Sequence, residues 1–145
     1  MSRHPKKRPG GTGLKFTRIN DFALVPRHLV AQVKPCECDL DALYALGPLI
    51  CADPRTILGV FADKDSLVRG FLWATFNPLD RRIHVQMLSV DEKFQGRGIV
   101  REAKGILERV KRETGAIGLT FRTVMPQIFE PLGFIRSETV IMEEK

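Results

Sequence analysis

Residues 89–107, SVDEKFQGRGIVREAKGIL, put two glycines in a turn directly ahead of an amphipathic helix. No other feature constrains this chain as much. Glycine starts helices poorly on propensity grounds. Gly96 and Gly98 therefore serve a backbone need, either a tight turn or the close approach of a ligand to bare amide groups. In the helix that follows, Ile99, Ala103, Ile106, Leu107 and Val110 recur at three- and four-residue steps. Lys104, Glu108, Arg109, Lys111 and Arg112 take the other face, with Glu108 one turn before Arg112. Thr114-Gly115 ends it, glycine being suited to the left-handed cap. The first N–H groups of such a helix have no intrahelical partner and carry the positive end of its dipole. A strand, a glycine turn and a helix therefore make an anion site, and Arg97 adds a charge at its rim.

The segments before this turn read as strand, helices and strands. LKFTRI (14–19) predicts a short strand. Asn20 and Asp21 cap a helical pattern over 20–33 that Pro26 interrupts, and Pro48 kinks or splits a second over 39–53. TILGVFADKD, SLVRGFLWATFNPLD and RRIHVQMLSV are rich in β-branched and aromatic residues between turn signals and predict three consecutive antiparallel strands. After the glycine-led helix come a strand at AIGLTF (116–121), a short helix at VMPQIFEPL and a final alternating strand at GFIRSETVIMEE. The expected fold class is thus α/β of the α+β type, a mixed and mostly antiparallel sheet in the order β-α-α-β-β-β-α-β-α-β.

At 145 residues and 43% hydrophobic, the chain is expected to form one domain over 14–145 behind a basic flexible arm, residues 1–13. The net charge of +6 belongs to the N-terminus. Residues 3–18 carry Arg3, Lys6, Lys7, Arg8, Lys15 and Arg18 and no acid, and the rest of the chain is balanced. Such an arm suits contact with nucleic acid or an acidic protein surface, or is simply a solvated leader. No apolar run approaches the roughly 20 residues of a membrane span, and the N-terminus lacks the apolar segment of a secretory leader. Three cysteines in that setting point to a reducing, cytoplasmic compartment. Cys36, Cys38 and Cys51 with His28 are a poor zinc set because C-x-C is tighter than the usual spacing. No metal is expected.

The run from Val90 through Asp91 to Gln95-Gly96-Arg97-Gly98 resembles the acetyl-coenzyme-A motif of the GCN5-related N-acetyltransferases, (Q/R)-x-x-G-x-(G/A). IFEPLGF (128–134) resembles that family's aromatic-E-x-L-G-F segment, and one helix and one strand lie between the two motifs. The resemblance implies acetyl-CoA as co-substrate and a small-molecule or peptide amine as acceptor. It also implies diphosphate binding by the amides of Gly96, Arg97, Gly98 and Val100, with Gln95 opening the motif. The backbone of Leu88 and Val90 would pair with the pantetheine arm, and the N–H after Leu88 would polarise the thioester carbonyl. Thr123 stands where an Asn often contacts the coenzyme, Val100 where the family has Gly or Ala, and Phe129 where many members have a Tyr that protonates the departing thiolate.

Direct acyl transfer also needs a base for the attacking ammonium. His84, on the strand before the turn, is the candidate by residue type and position, and alternation would set His84, Gln86 and Leu88 on one face. Tyr44 is a candidate acceptor contact, and Phe71, Trp73 and Phe76 are expected to pack the sheet. A second reading is a GNAT-like structural or binding protein without turnover, of the kind found among phage virion components, docking through its basic arm.

Overall fold

The computed structural model describes residues 12–33, 39–122, 126–137, 142 and 144. Its centre is one five-stranded sheet in the order β1 (Lys15–Arg18), β2 (Thr56–Ala62), β3 (Val68–Asn77), β4 (Arg82–Val90) and β5 (Gly118–Phe121). The first four strands pair antiparallel and β5 joins β4 in parallel. A parallel pair needs a long crossover. Helix α4 (Ile99–Thr114) supplies it, capped at both ends by left-handed glycines, Gly98 and Gly115.

The two prolines act as their chemistry requires. Pro26 divides the first helical pattern into a 3-10 turn (Phe22–Leu24) and α1 (Arg27–Ala31), since it fixes φ and removes a donor. Pro48 sits at the start of α3 (Gly47–Ala52), separating it from α2 (Leu40–Ala45).

The sheet is buried on both faces, which explains the unbroken apolar run of β2. On one face Ile57, Phe61, Leu72, Ala74, Ile83 and Val85 pack against Ala103, Ile106, Leu107 and Val110 of α4. On the other, Leu58, Val60 and Phe71 pack against Phe22, Val25, Leu29 and Val30. Trp73 joins this second core, and Phe76 the first. At Gly59 a Cβ would stand 2.2 Å from the Phe16 ring, so glycine is what lets β1 close on β2.

Three expectations are corrected. The short helix over 124–132 is instead two 3-10 turns, Pro126–Ile128 and Glu130–Leu132, because Pro131 cannot continue an α-helix. Residues 133–137 hold no strand, and of the final strand expected there residues 138–141 and 143 lie outside the described residues. The folded body begins before residue 14. Thr12 is 3% exposed and donates to Glu102 of α4 at 2.6 Å. Among the described residues no helix is long and apolar enough to cross a membrane.

Leu107 is fully buried between α4 and the sheet. Leu107→Ala should cost about 2–5 kcal/mol in a urea titration, through lost transfer energy and the cavity left behind.

Candidate active-site cleft

The site is built where β4 leaves β5. Their pairing runs from Arg82↔Gly118 to Val85↔Phe121 and stops. On the β3 side the register slips between Trp73 and Ala74, leaving Gln86 as an extra residue in β4. Such a bulge bends the strand and changes which face each later side chain takes. Ile83 and Val85 face α4 before it, Leu88 faces α4 after it, and Met87 packs with the opposite core. His84, Gln86 and Leu88 therefore do not share one face, a correction to simple alternation.

Beyond the bulge, Asp91 N–H donates to Arg69 O at 2.6 Å, which fixes the ladder's phase. Counting back along the register, Ser89 is a hydrogen-bonded partner of Phe71, while Leu88 and Val90 turn their N–H and C=O groups away from β3. The backbone of Leu88 and Val90 thus faces the gap left by β5. The N–H following Leu88, that of Ser89, points into the sheet instead, so the outward donor at this point is Leu88's own.

The gap opens into a cleft of about 750 Å3. Leu88 and Val90 form its inner wall, and Gln95, Gly96, Gly98 and Val100 lie at the end where α4 begins. Phe121 and Phe129 stand opposite, their ring centroids 4.7 Å apart, with Phe134 edge-on to both. Gly96 (φ 76) and Gly98 (φ 85) are left-handed, conformations that β-carbons disfavour. Arg97 lies off the wall, its guanidinium 5.0 Å from the Phe94 ring centroid. Thr123 lies outside the described residues.

Several residues of this cleft carried no signal in the sequence. Gln32, the C-cap of α1, reaches across and donates to Ser89 Oγ and to Val90 O, both at 2.9 Å. Gln95 donates to the same Val90 carbonyl at 3.2 Å. Arg101, in the first turn of α4, and Arg122, just after β5, add cations along the opening. A glutamine ending a short helix and two surface arginines look ordinary until the sheet brings them together.

His84 is not part of the cleft wall. Its ring is held at both nitrogens, Nε2 by Asp80 Oδ2 at 2.8 Å and Nδ1 by Thr120 Oγ1 at 2.6 Å. Burial pushes the Asp80 carboxyl up, but the Arg82 N–H and the His84 ring pull it further down, so Asp80 stays an anion. Because Thr120 is His84's partner on β5, this contact ties the two strands together one residue before they part. Tyr44, the other acceptor-side candidate, is taken up by the core: its hydroxyl donates to Val25 O and its ring meets Phe22 edge-on. Cys51 is a free, half-buried thiol in the same core, while Cys36 and Cys38 lie outside the described residues.

A second groove of about 300 Å3 lies beside β3, between Leu46, Leu49 and Ile50 on one side and Trp73 and Thr75 on the other. The indole N–H of Trp73 is buried there without a partner among the described residues. Asp53, at the groove edge, is held at a pKa of about 2 by hydrogen bonds from the Arg55 guanidinium and backbone N–H.

No protein-family model matches the sequence, and no curated protein matches it either. Solved structures do. The aminoglycoside N-acetyltransferase AAC(6')-Iy in complex with CoA superposes with a TM-score of 0.75 at 20% identity, over 96% of this chain and 99% of that one. The same enzyme with a bisubstrate analogue, CoA-S-monomethyl-acetylneamine, gives 0.73 at 21% identity, over 91% and 97%. Glucosamine-6-phosphate N-acetyltransferase from Arabidopsis thaliana gives 0.64 at 14% identity, over 91% and 97%. The chain has the GCN5-related N-acetyltransferase fold. In this GNAT fold, the departure of β5 from β4 and the glycine turn before α4 fall at the two ends of one cleft.

The Asp53–Arg55 contact makes a testable statement about acid stability. Because the folded pKa is depressed from 3.8 to about 2, the contact stabilises the native state above the unfolded value and loses that contribution as pH falls through this window. Arg55→Ala should move the acid-unfolding midpoint upward in circular dichroism while leaving the urea midpoint at pH 7 little changed, since the pair is at the surface.

Proposed function

We propose that this protein is an N-acetyltransferase that moves the acetyl group of acetyl-CoA directly to a primary amine. The observation that carries the proposal is the continuity of the cleft. Outward-facing backbone at Leu88 and Val90 leads without a break to the left-handed Gly96–Gly98 turn and the N-terminus of a sixteen-residue helix. An extended, amide-bearing arm fits the first part as an added strand, and a diphosphate fits the second. Structural neighbours that bind CoA with the same fold support this choice of ligand.

Each residue then has a physical task. The Leu88 N–H faces the thioester carbonyl and stabilises charge developing on its oxygen. Gly96, Gly98 and Val100, with Arg97 nearby, present amides to the diphosphate, and Gln95 orders the turn by bonding Val90 O. The extra methyls of Val100 sit on the cleft wall. Thr123 is assigned to the coenzyme only by its resemblance to the position where the family often has an Asn. Arg101 and Arg122 supply charge for the coenzyme's phosphates.

The acceptor enters from the groove beside Trp73, whose strand neighbour Met87 lines the cleft. Leu46, Leu49 and Ile50 give that entrance an apolar wall, and Asp53 at its edge is already paired with Arg55. The acceptor is therefore a small-molecule or peptide amine carrying an apolar part. In the neighbours the acceptors named are an aminoglycoside and an amino-sugar phosphate. His84 is kept as the candidate base by residue type; its ring is held by Asp80 and Thr120, neither of which lines the cleft.

Two measurements test this. Gly98→Asp and Gly98→Asn both tolerate left-handed backbone better than other substitutions, yet only the first puts a carboxylate against the diphosphate. In calorimetric titration with acetyl-CoA the Asp variant should bind about 100-fold more weakly than the Asn variant. Equal affinities would remove the diphosphate from this turn. For His84, the His84→Gln variant should lose about 10²-fold in kcat/KM with acetyl-CoA affinity unchanged. An unchanged kcat/KM would leave His84 only its structural tie to Thr120.

A further inference from the structure

Acetyl transfer has two protons to place. The incoming ammonium gives up one before it attacks. The tetrahedral intermediate then carries a second on its cationic nitrogen, and this must leave as the C–S bond breaks and the sulfur needs a proton. Phe129 offers none, and the described residues of the cleft wall contain one hydroxyl side chain, that of Ser89. Ser89 is 7% exposed, yet lies on the wall between the two residues whose backbone faces the gap.

Its hydrogen bonding is half complete. A serine hydroxyl has one hydrogen to donate and two lone pairs. Gln32 Nε2 occupies one lone pair at 2.9 Å. The same NH2 group places its other hydrogen on Val90 O, also at 2.9 Å, so the amide can face only one way: a carbonyl accepts and never donates. The second lone pair of Ser89 and its hydrogen have no partner among the described residues. The hydroxyl is thus anchored on one side by Gln32 and lies on the cleft wall.

Resting on the acetyl-transfer reading, we propose that Ser89 is the proton shuttle of this site, oriented by Gln32 as a positioning residue. As the intermediate collapses, Ser89 Oγ takes the proton from the cationic nitrogen while its own hydrogen passes to the sulfur. The C–S bond breaks, the electron pair stays on sulfur, and amide and free thiol form. The serine ends as it began, and no alkoxide is produced because both transfers occur together. With Gln32 on one lone pair, the nitrogen's proton on the other and the sulfur at the hydrogen, every valence of the hydroxyl is used.

The test measures thiol release from acetyl-CoA by the full-length chain, with hydroxylamine, neamine, glucosamine 6-phosphate and a lysine peptide as acceptors. Acetyl-CoA affinity is determined separately by calorimetry. Ser89→Ala should keep wild-type affinity, since backbone and not this side chain pairs with the coenzyme, but lose about 10²-fold in kcat. Its solvent deuterium effect on kcat should shrink toward one. Ser89→Cys, which restores a donor of similar size, should regain most of the rate. Gln32→Leu should lose about tenfold, with KM for acetyl-CoA less affected than kcat.

Ser89→Ala turning over within about twofold of wild type, with the isotope effect intact, would overturn the shuttle and leave acetyl transfer standing. Should the alanine variant fail to fold, the Cys and Leu variants decide on the same readouts. A wild-type chain that binds acetyl-CoA and accelerates release with none of these acceptors would overturn acetyl transfer, and the shuttle with it.

Discussion

The site depends on one interruption in hydrogen bonding: β4 and β5 pair through Val85↔Phe121 and no further. Buried backbone groups need partners. A strand edge opened inside a domain is therefore unstable unless something covers it or is meant to. Here Leu88 and Val90 turn toward the gap, and two glutamine side chains already cap the Val90 carbonyl. The protein thus satisfies part of its exposed edge with side chains. A ligand amide arriving at Val90 O can take the place of the longer Gln95 bond, leaving Gln32 on Ser89, and does not have to desolvate a bare carbonyl. The exchange is close to neutral in hydrogen bonds, so affinity is left to the glycine turn and the apolar walls.

What keeps the gap from closing is equally specific. The Gln86 bulge twists β4 away just where β5 ends its pairing. On the strand side of that point, the Asp80–His84–Thr120 chain ties β4 to β5. On the open side, Phe121, Phe129 and Phe134 pack against one another and prop the far wall apart. The cleft is thus held between a polar tie and an aromatic wedge.

Legibility of the sequence follows the range of the forces involved. Helix α4 was plain because its periodicity and both glycine caps are local, and the left-handed φ of Gly96 and Gly98 follows from what glycine permits. Pro26 and Pro48 divided their helices where their rings forbid continuation. The same local rule at Pro131 was underweighted, and the expected helix became two 3-10 turns. The bulge could not be read, because nothing in HVQML distinguishes an extra residue from ordinary alternation; pairing with β3 decides it. That one slip reversed the relation of His84 to Leu88 and aimed the Ser89 N–H into the sheet. Gln32 was invisible for a related reason, since its partners lie 57 and 58 positions away.

The absence of a phenol at position 129 has a different weight once the cleft is seen as a whole. On motif grounds, Phe129 removes the acid and leaves a fold without its chemistry. In three dimensions the ring belongs to the aromatic wedge, while the hydroxyl of Ser89 stands on the opposite wall, buried, oriented by one amide and unfinished in its bonding. A phenol in the wedge would need its own partner when the cleft is empty, a demand that Phe129 does not make. Moving the proton-handling group from the wedge to the strand lets the far wall be purely apolar and places the hydroxyl beside the outward N–H of Leu88. The carbonyl and sulfur of one thioester can then be served from a single stretch of β4.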